Sequence, residues 1–409
     1  MGVFSIFTNK GGGGEVAALR RMSTVFAVLK FLFLFVFVAF VLYGFSFRTR
    51  EISMDNFRYL FRTAIEGENK PEPFKTVYFD NNDDNRYALV RGDLAVVNSN
   101  GNAVYTLSGR RQSVDPGLKL DNPMALSSAK NLFIYDLGGN ELVIKNALET
   151  VKRYKYVYPI RGAAVAESGY FAVISSEKTS RSVIYVYDDR YRVVYDCSYG
   201  SLYTLSVDLD ADAERLLAAS VDAENGGFTA YVTLYALDRE EPAASLSFEG
   251  EYPYRACFSD GGGFTLLTDK YCRFFDGSAK LVSALEFGSK GISSYAISGS
   301  YFLRQYATSV IRAERALEVY DCRTGELLWQ RNFDGGIRLA KSCGDCLFVI
   351  SGGELTVVRL TDGKEALAEI PAETIELLPI ENGQILALTN GTGNVLDYGA
   401  LFENNTEEK

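Results

Sequence analysis

The sequence predicts an all-β chain folded as a β-propeller, most simply of eight blades with seven as the alternative, preceded by one transmembrane helix. Three observations carry this expectation. A short, steeply apolar strand recurs eight times at intervals of 38 to 48 residues. The composition leans toward strands and turns, with 26 Tyr, 27 Phe and 37 Gly among 409 residues but a single Trp. Finally, residues 25–47 form an apolar run in which no charge follows Lys30.

Residues 1–24 read as a short flexible tail. The stretch Phe7-Thr8-Asn9-Lys10-Gly11-Gly12-Gly13-Gly14-Glu15 resembles the phosphate loop of the partitioning ATPases, but Glu15 and Val16 stand where that family has a second lysine and a hydroxyl. Nothing would then neutralise phosphates or hold magnesium, so a glycine-rich tail is the reading adopted. Gly2 does not make a myristoylation site, because Ile6 occupies the Ser/Thr position.

Val25 to Phe47 then supplies 23 residues, a helix of ~34 Å against a bilayer core of ~30 Å. It ends in Tyr43-Gly44-Phe45-Ser46-Phe47 rather than in a small-residue cleavage site, which favours an uncleaved signal anchor. Lys10, Arg20, Arg21 and Lys30 are balanced by Arg48, Arg50, Arg58 and Arg62, so the positive-inside comparison is a tie. A short tail before one anchor normally stays in the cytoplasm, which places the large domain outside it. Residues 48–75 read as a juxtamembrane amphipathic segment, with Ile52, Phe57, Leu60 and Phe61 toward one side, followed by the linker Glu66–Lys75.

The propeller is expected over residues 76–402, with 403–409 as a disordered tail. The eight strand copies begin at Leu94, Leu132, Phe171, Leu216, Phe264, Phe302, Leu347 and Ile385. Their spacing falls in the ~40–50-residue range of four-stranded blades. Several copies continue into a second strand that ends at an aspartate turn, at Asp188, Asp238, Asp276, Asp321 and Asp362. An aspartate carboxylate can bond the backbone two residues on and fix such a hairpin. The last copy lacks an outer strand except for the short Ala400-Leu401-Phe402, and Thr76-Val77-Tyr78-Phe79 is expected to fill that gap and close the ring.

One repeat, Ala316-Leu-Glu-Val-Tyr-Asp-Cys-Arg-Thr-Gly-Glu-Leu-Leu-Trp329, resembles the blades of quinoprotein-type propellers, whose strand–turn–strand ends in Thr-Gly-x-x-x-Trp. In that family the tryptophan docks one blade on the next, which implies a packing role for Trp329. The arrangement of one anchor and a propeller is similar to a bacterial single-pass, membrane-anchored propeller family of unassigned function.

Charge and composition exclude several chemistries. With 42 basic against 52 acidic side chains, the net charge of −10 gives no reason to expect nucleic acid. The chain has no histidine, which excludes Ser-His-Asp and Cys-His nucleophiles and His-ligated metals. No Cys-Cys pair or second tryptophan exists to hold a quinone, and no cofactor is expected. Cys343-Gly-Asp-Cys346 has redox spacing but falls in a strand-to-strand turn, so it reads as a hairpin thiol pair, reduced or bridged. Asp208, Asp210 and Asp212 alternate as calcium-loop ligands do, yet Ala213 replaces the glycine and Ala219 the final glutamate; a solvated acidic turn is favoured.

Three repeats carry longer loops between their first and second core strands, at Ser176–Ser182, Val221–Thr229 and Ala307–Ala316. Loops of one class project from one rim, and these bring Lys178, Arg181, Arg312 and Arg315 into an acidic domain. The expected partner of that rim is an acidic protein or an anionic envelope polymer. The expected function is a non-catalytic, membrane-tethered, extracytoplasmic scaffold. The alternatives are an enzyme or glycan-binding module using channel carboxylates and tyrosines, and a cytoplasm-facing scaffold.

Overall fold

A computed structural model describes residues 25–39 and 76–404, apart from 147–148, 224–225, 309–313 and 381–382. The expected tail 1–24 and juxtamembrane segment 48–75 lie outside the described residues, as do residues 40–47 of the expected span.

Residues 25–39 form a helix, α1, whose side chains are all exposed. Its length is ~22 Å at 1.5 Å per residue. Among the described residues no helix is long and apolar enough to cross a membrane.

Residues 76–404 hold eight antiparallel four-stranded sheets, so the eight-blade alternative is the one realised. Blade one is β2–β5 (Arg86–Val90, Asp93–Asn98, Gly101–Tyr105, Arg111–Asp115) and blade two β6–β9 (Pro123–Ser127, Leu132–Asp136, Glu141–Lys145, Thr150–Lys155). Blade three is β10–β13 (Gly162–Val165, Phe171–Ser175, Ser182–Tyr187, Val193–Tyr199) and blade four β14–β17 (Tyr203–Leu209, Arg215–Asp222, Thr229–Ala236, Pro242–Glu249). Blade five is β18–β21 (Pro253–Phe258, Phe264–Thr268, Tyr271–Phe275, Leu281–Glu286) and blade six β22–β25 (Ser294–Ile297, Tyr301–Ala307, Arg315–Asp321, Leu327–Phe333). Blade seven is β26–β29 (Ile337–Cys343, Cys346–Ser351, Glu354–Arg359, Glu365–Glu369). Blade eight joins β30–β32 (Glu376–Ile380, Gln384–Leu388, Thr392–Asp397) to β1 (Thr76–Tyr78).

Each of the eight recurring apolar segments is the second strand of its blade. These strands are sandwiched between neighbouring blades and buried on both faces, as β11 is throughout, which is why their sequences are continuously apolar rather than alternating. The outer strands alternate instead, as in β17, because one face meets water. The aspartate turns at Asp188, Asp276, Asp321 and Asp362 form as expected. The Asp188, Asp276 and Asp321 carboxylates accept backbone N–H bonds from Arg190, Ser278 and Arg323.

The ring closes through β1, which pairs antiparallel with β32 in the register Thr76↔Asn394, Val77↔Gly393, Tyr78↔Thr392. Ala400-Leu401-Phe402 is therefore not a strand. Residues Gly399–Asn404 form a short helix, α2, started by the Asp397 carboxylate accepting the Ala400 N–H at 3.1 Å. Phe402 packs into the joint between blades seven and eight beneath the Arg359 guanidinium. Glu403 and Asn404, expected in the tail, belong to this helix; the rest of the expected tail, residues 405–409, lies outside the described residues.

The apolar core is divided among the joints, with one buried cluster between each pair of neighbouring blades. The closing cluster sets Val77 against Leu94, Val96, Leu386 and Leu388, uniting residues from both ends of the domain. Trp329 packs in the joint between blades six and seven, the docking role its motif implied.

Candidate functional site

The long loop of blade three arches over a cleft of about 550 Å³ between blades two and three. Its floor is built from tyrosines: Tyr154 near the end of β9, and Tyr156 and Tyr158 in the crossing to blade three, line the cleft. Tyr185 and Tyr187 on β12 line it from blade three, the Tyr185 ring lying 6.3 Å from the Tyr156 ring. The rings of Tyr154 and Tyr187 lie 5.1 Å apart, and Tyr187 stacks on Phe171 at 4.5 Å.

The hydroxyls are bonded within the cleft. Tyr156 donates to Tyr187 at 2.9 Å, Tyr154 to the Tyr191 carbonyl at 2.6 Å, and Tyr185 to Glu177 at 2.7 Å. Burial raises the Tyr156, Tyr185 and Tyr187 hydroxyls above the ordinary phenol range, with the Glu177 carboxylate adding to the effect at Tyr185. These phenols remain protonated at neutral pH, so they can donate and stack but cannot act as bases. The mouth is basic and apolar: Lys155, Lys178 and Thr179 line it, Val193 is half exposed and Val157 is 88% exposed. Such a surface can clamp an extended peptide by stacking and hydrogen bonding.

Of the four cations expected on the rim, Lys178 alone lines this cleft. Arg181 is occupied locally. Its Nη1 donates to the Ser201 carbonyl at 3.1 Å, and its guanidinium lies over Tyr203, which Arg161 covers from the same blade. Arg315 is not a loop residue; it opens β24, because its backbone pairs with Ala307 and Phe333. Arg312 lies outside the described residues. Blades four and five separate Arg315 from Lys178 and Arg181, so the rim carries no single basic patch built from all four.

The aspartate run does not converge. Asp208 accepts the Phe258 N–H at 2.8 Å and so staples blade four to blade five; burial pushes its carboxyl up to about 6. Asp210 caps its own turn and pairs with Arg215 at 2.9 Å, while Asp212 is exposed. Among the described residues no cluster of three acidic or thiol ligands could hold a metal. Cys343 and Cys346 sit opposite each other at the end of the β26–β27 hairpin as free thiols. Burial raises both, Cys346 to about 12, which disfavours the thiolate that redox chemistry uses.

Two carboxylates facing each other in one cavity would have supported hydrolysis. The rim cleft contains Glu177 alone, and a cavity on the inner strands contains only Glu376, bonded to Lys341. Neither offers the pair ~5–10 Å apart that glycoside cleavage uses. Sequence reasoning passed over the tyrosine cleft, although the alternation of Tyr154, Tyr156 and Tyr158 was its signal.

The signature of a family described as a family of unknown function, DUF5711, matches residues 72–394. No curated protein matches the sequence. Among solved structures, Sqt1 of Saccharomyces cerevisiae is similar at 9% identity and a TM-score of 0.56, covering 80% of this chain and 99% of that one. The C-terminal WD40 domain of Sif2 is similar at 15% identity and 0.53, over 79% and 98%. The Dos1 propeller follows at 13% and 0.50, over 69% and 81%. At such identities the likeness carries the propeller fold alone.

Proposed function

The chain belongs to that family of unknown function, and from this premise we propose that it is a membrane-tethered scaffold whose propeller docks an acidic segment of a protein partner on the extracytoplasmic side. The tyrosine cleft carries the reading. The Tyr154, Tyr156 and Tyr185 hydroxyls already donate to protein acceptors, and burial keeps Tyr156, Tyr185 and Tyr187 protonated, which suits recognition rather than turnover. Its basic mouth at Lys155 and Lys178 suits an acidic chain, and Val157 offers an apolar anchor point. The tether rests on the apolar run 25–47, of which residues 25–39 are helical with every side chain exposed. The absence of histidine and of paired carboxylates in either cavity supports a role without catalysis.

Two measurements test this. Protease added to intact cells should digest the propeller; protection until lysis would overturn the extracytoplasmic placement. A photo-crosslinker at Val157 should capture one defined partner, and the double charge reversal Lys155→Glu, Lys178→Glu should reduce that adduct at least about tenfold. Capture unchanged by the reversal would reject the cleft as the docking surface.

A further inference from the structure

A second cavity, of about 350 Å³, lies on the inner side of the ring, with walls mainly from the inner strands of blades five to eight. The charge on those strands runs against that of the protein. The eight inner strands carry Arg86, Arg255, Arg338 and Lys341 but only two carboxylates, Asp208 and Glu376, in a chain of net charge −10. Asp208 is turned into the joint between blades four and five, where it accepts the Phe258 N–H. Glu376 is bonded to Lys341 at 2.9 Å. The cavity lining therefore holds three cations against one carboxylate, a surplus of two positive charges.

These charges are not consumed by the protein. Arg338 donates to the Ala372 carbonyl, a neutral acceptor that leaves its charge uncompensated. Arg255 is exposed and makes no hydrogen bond or ion pair among the described residues; it reaches the Asp208 carboxyl only through space. Two guanidiniums in a concave, partly apolar setting present forked donors of the kind that grip oxyanions. Beside them the Tyr295 ring, stacked on Tyr254 with planes 11° apart, offers a flat wall, and Ser342 adds a hydroxyl. A volume of about 350 Å³ is at the lower end of sites for small organic ligands.

We propose that this cavity binds a small organic anion of about two negative charges, its phosphate or carboxylate groups held by Arg255 and Arg338 and its body laid against Tyr295. The site is separate from the rim cleft and independent of the scaffold reading. It would make the propeller responsive to a soluble metabolite.

Calorimetric titration of the full-length chain with phenyl phosphate, inorganic phosphate, succinate and phenol tests the assignment. Phenyl phosphate or succinate should bind saturably and more weakly as salt rises, and phenol should not bind. Arg255→Gln, an exposed position whose loss leaves the fold intact, should weaken binding about ten- to a hundredfold, and Arg338→Gln likewise. Inorganic phosphate binding as tightly as phenyl phosphate would overturn the role of the Tyr295 wall. No saturable binding of any anion at millimolar concentration, or binding that Arg255→Gln changes less than twofold, would overturn the site itself.

Discussion

The joint between blades two and three and the joint between blades five and six are built on the same register, yet one is open and the other sealed. In blade three Phe171 pairs with Tyr187 across strands, and in blade six Phe302 pairs with Tyr320. Two residues further along, the pairs diverge: Val173 faces Tyr185 in blade three, while Arg304 faces Glu318 in blade six. Arg304 bonds Glu318 at 3.3 Å and the Phe287 and Gly291 carbonyls at 3.0 and 2.8 Å. Glu318 in turn accepts from Tyr306 and Tyr320 at 2.8 and 2.7 Å. A buried charge is tolerated only when its whole hydrogen-bonding capacity is met, and that demand draws the crossing segment from blade five tightly over the joint. In blade three no charge makes such a demand. Tyr185 reaches outward to Glu177, and a cleft remains.

The largest expected effect comes from breaking the sealed joint. Arg304→Met strands the Glu318 carboxylate, and urea unfolding should show a loss of about 3–5 kcal/mol. A loss below about 1 kcal/mol would mean that the network does not hold the joint.

Writing blade three's pair into blade six sharpens the comparison. The double variant Arg304→Val, Glu318→Tyr removes both charges together and should recover more than half of that loss, since replacing a whole buried pair is often near neutral. Stability no better than that of Arg304→Met would show that packing volume, rather than unmet charge, separates the two joints.

The smallest effect belongs to the open joint. Tyr185→Phe removes a bond between a partly buried hydroxyl and a carboxylate, and the change should stay within about 1 kcal/mol. A loss as large as that of Arg304→Met would make the cleft part of the folding core and not a binding surface.

Much of the fold was legible because its signals are local. A second strand buried on both faces must be continuously apolar, so eight such segments pointed to eight blades, with seven left as the alternative. An aspartate turn needs only its own neighbours, and the unfilled outer position of blade eight pointed to Thr76–Tyr78. At Gly325, in the Thr324-Gly325 turn of blade six, a φ of +72° and the 2.6 Å approach that a Cβ would make to Ser283 explain why glycine is there. The rim was less legible. Lys178 and Arg181 belong to the loop region of blade three whereas Arg315 opens a strand of blade six, and even a shared loop class gives a rim without a position around it; two blades stand between them. The alternating spacing of Asp208, Asp210 and Asp212 was equally silent on what each carboxylate meets. Asp208 lies on a strand and is taken by the neighbouring blade, which alternation along the chain does not show.

By itself, then, the sequence determined the propeller class, the spacing of its repeats and the means of closure, because periodicity and turn chemistry act over a few residues, while the choice of eight blades over seven came from the sheets themselves. The tertiary structure alone decided what faces what. It set Tyr156 against Tyr187, Asp208 against Phe258, and Thr76 against Asn394, 318 residues away. It also gathered Arg255, Arg338 and Lys341 around one cavity. Those meetings depend on closing a ring, and only a closed ring fixes which neighbour satisfies each polar group and which groups are left over to meet a ligand.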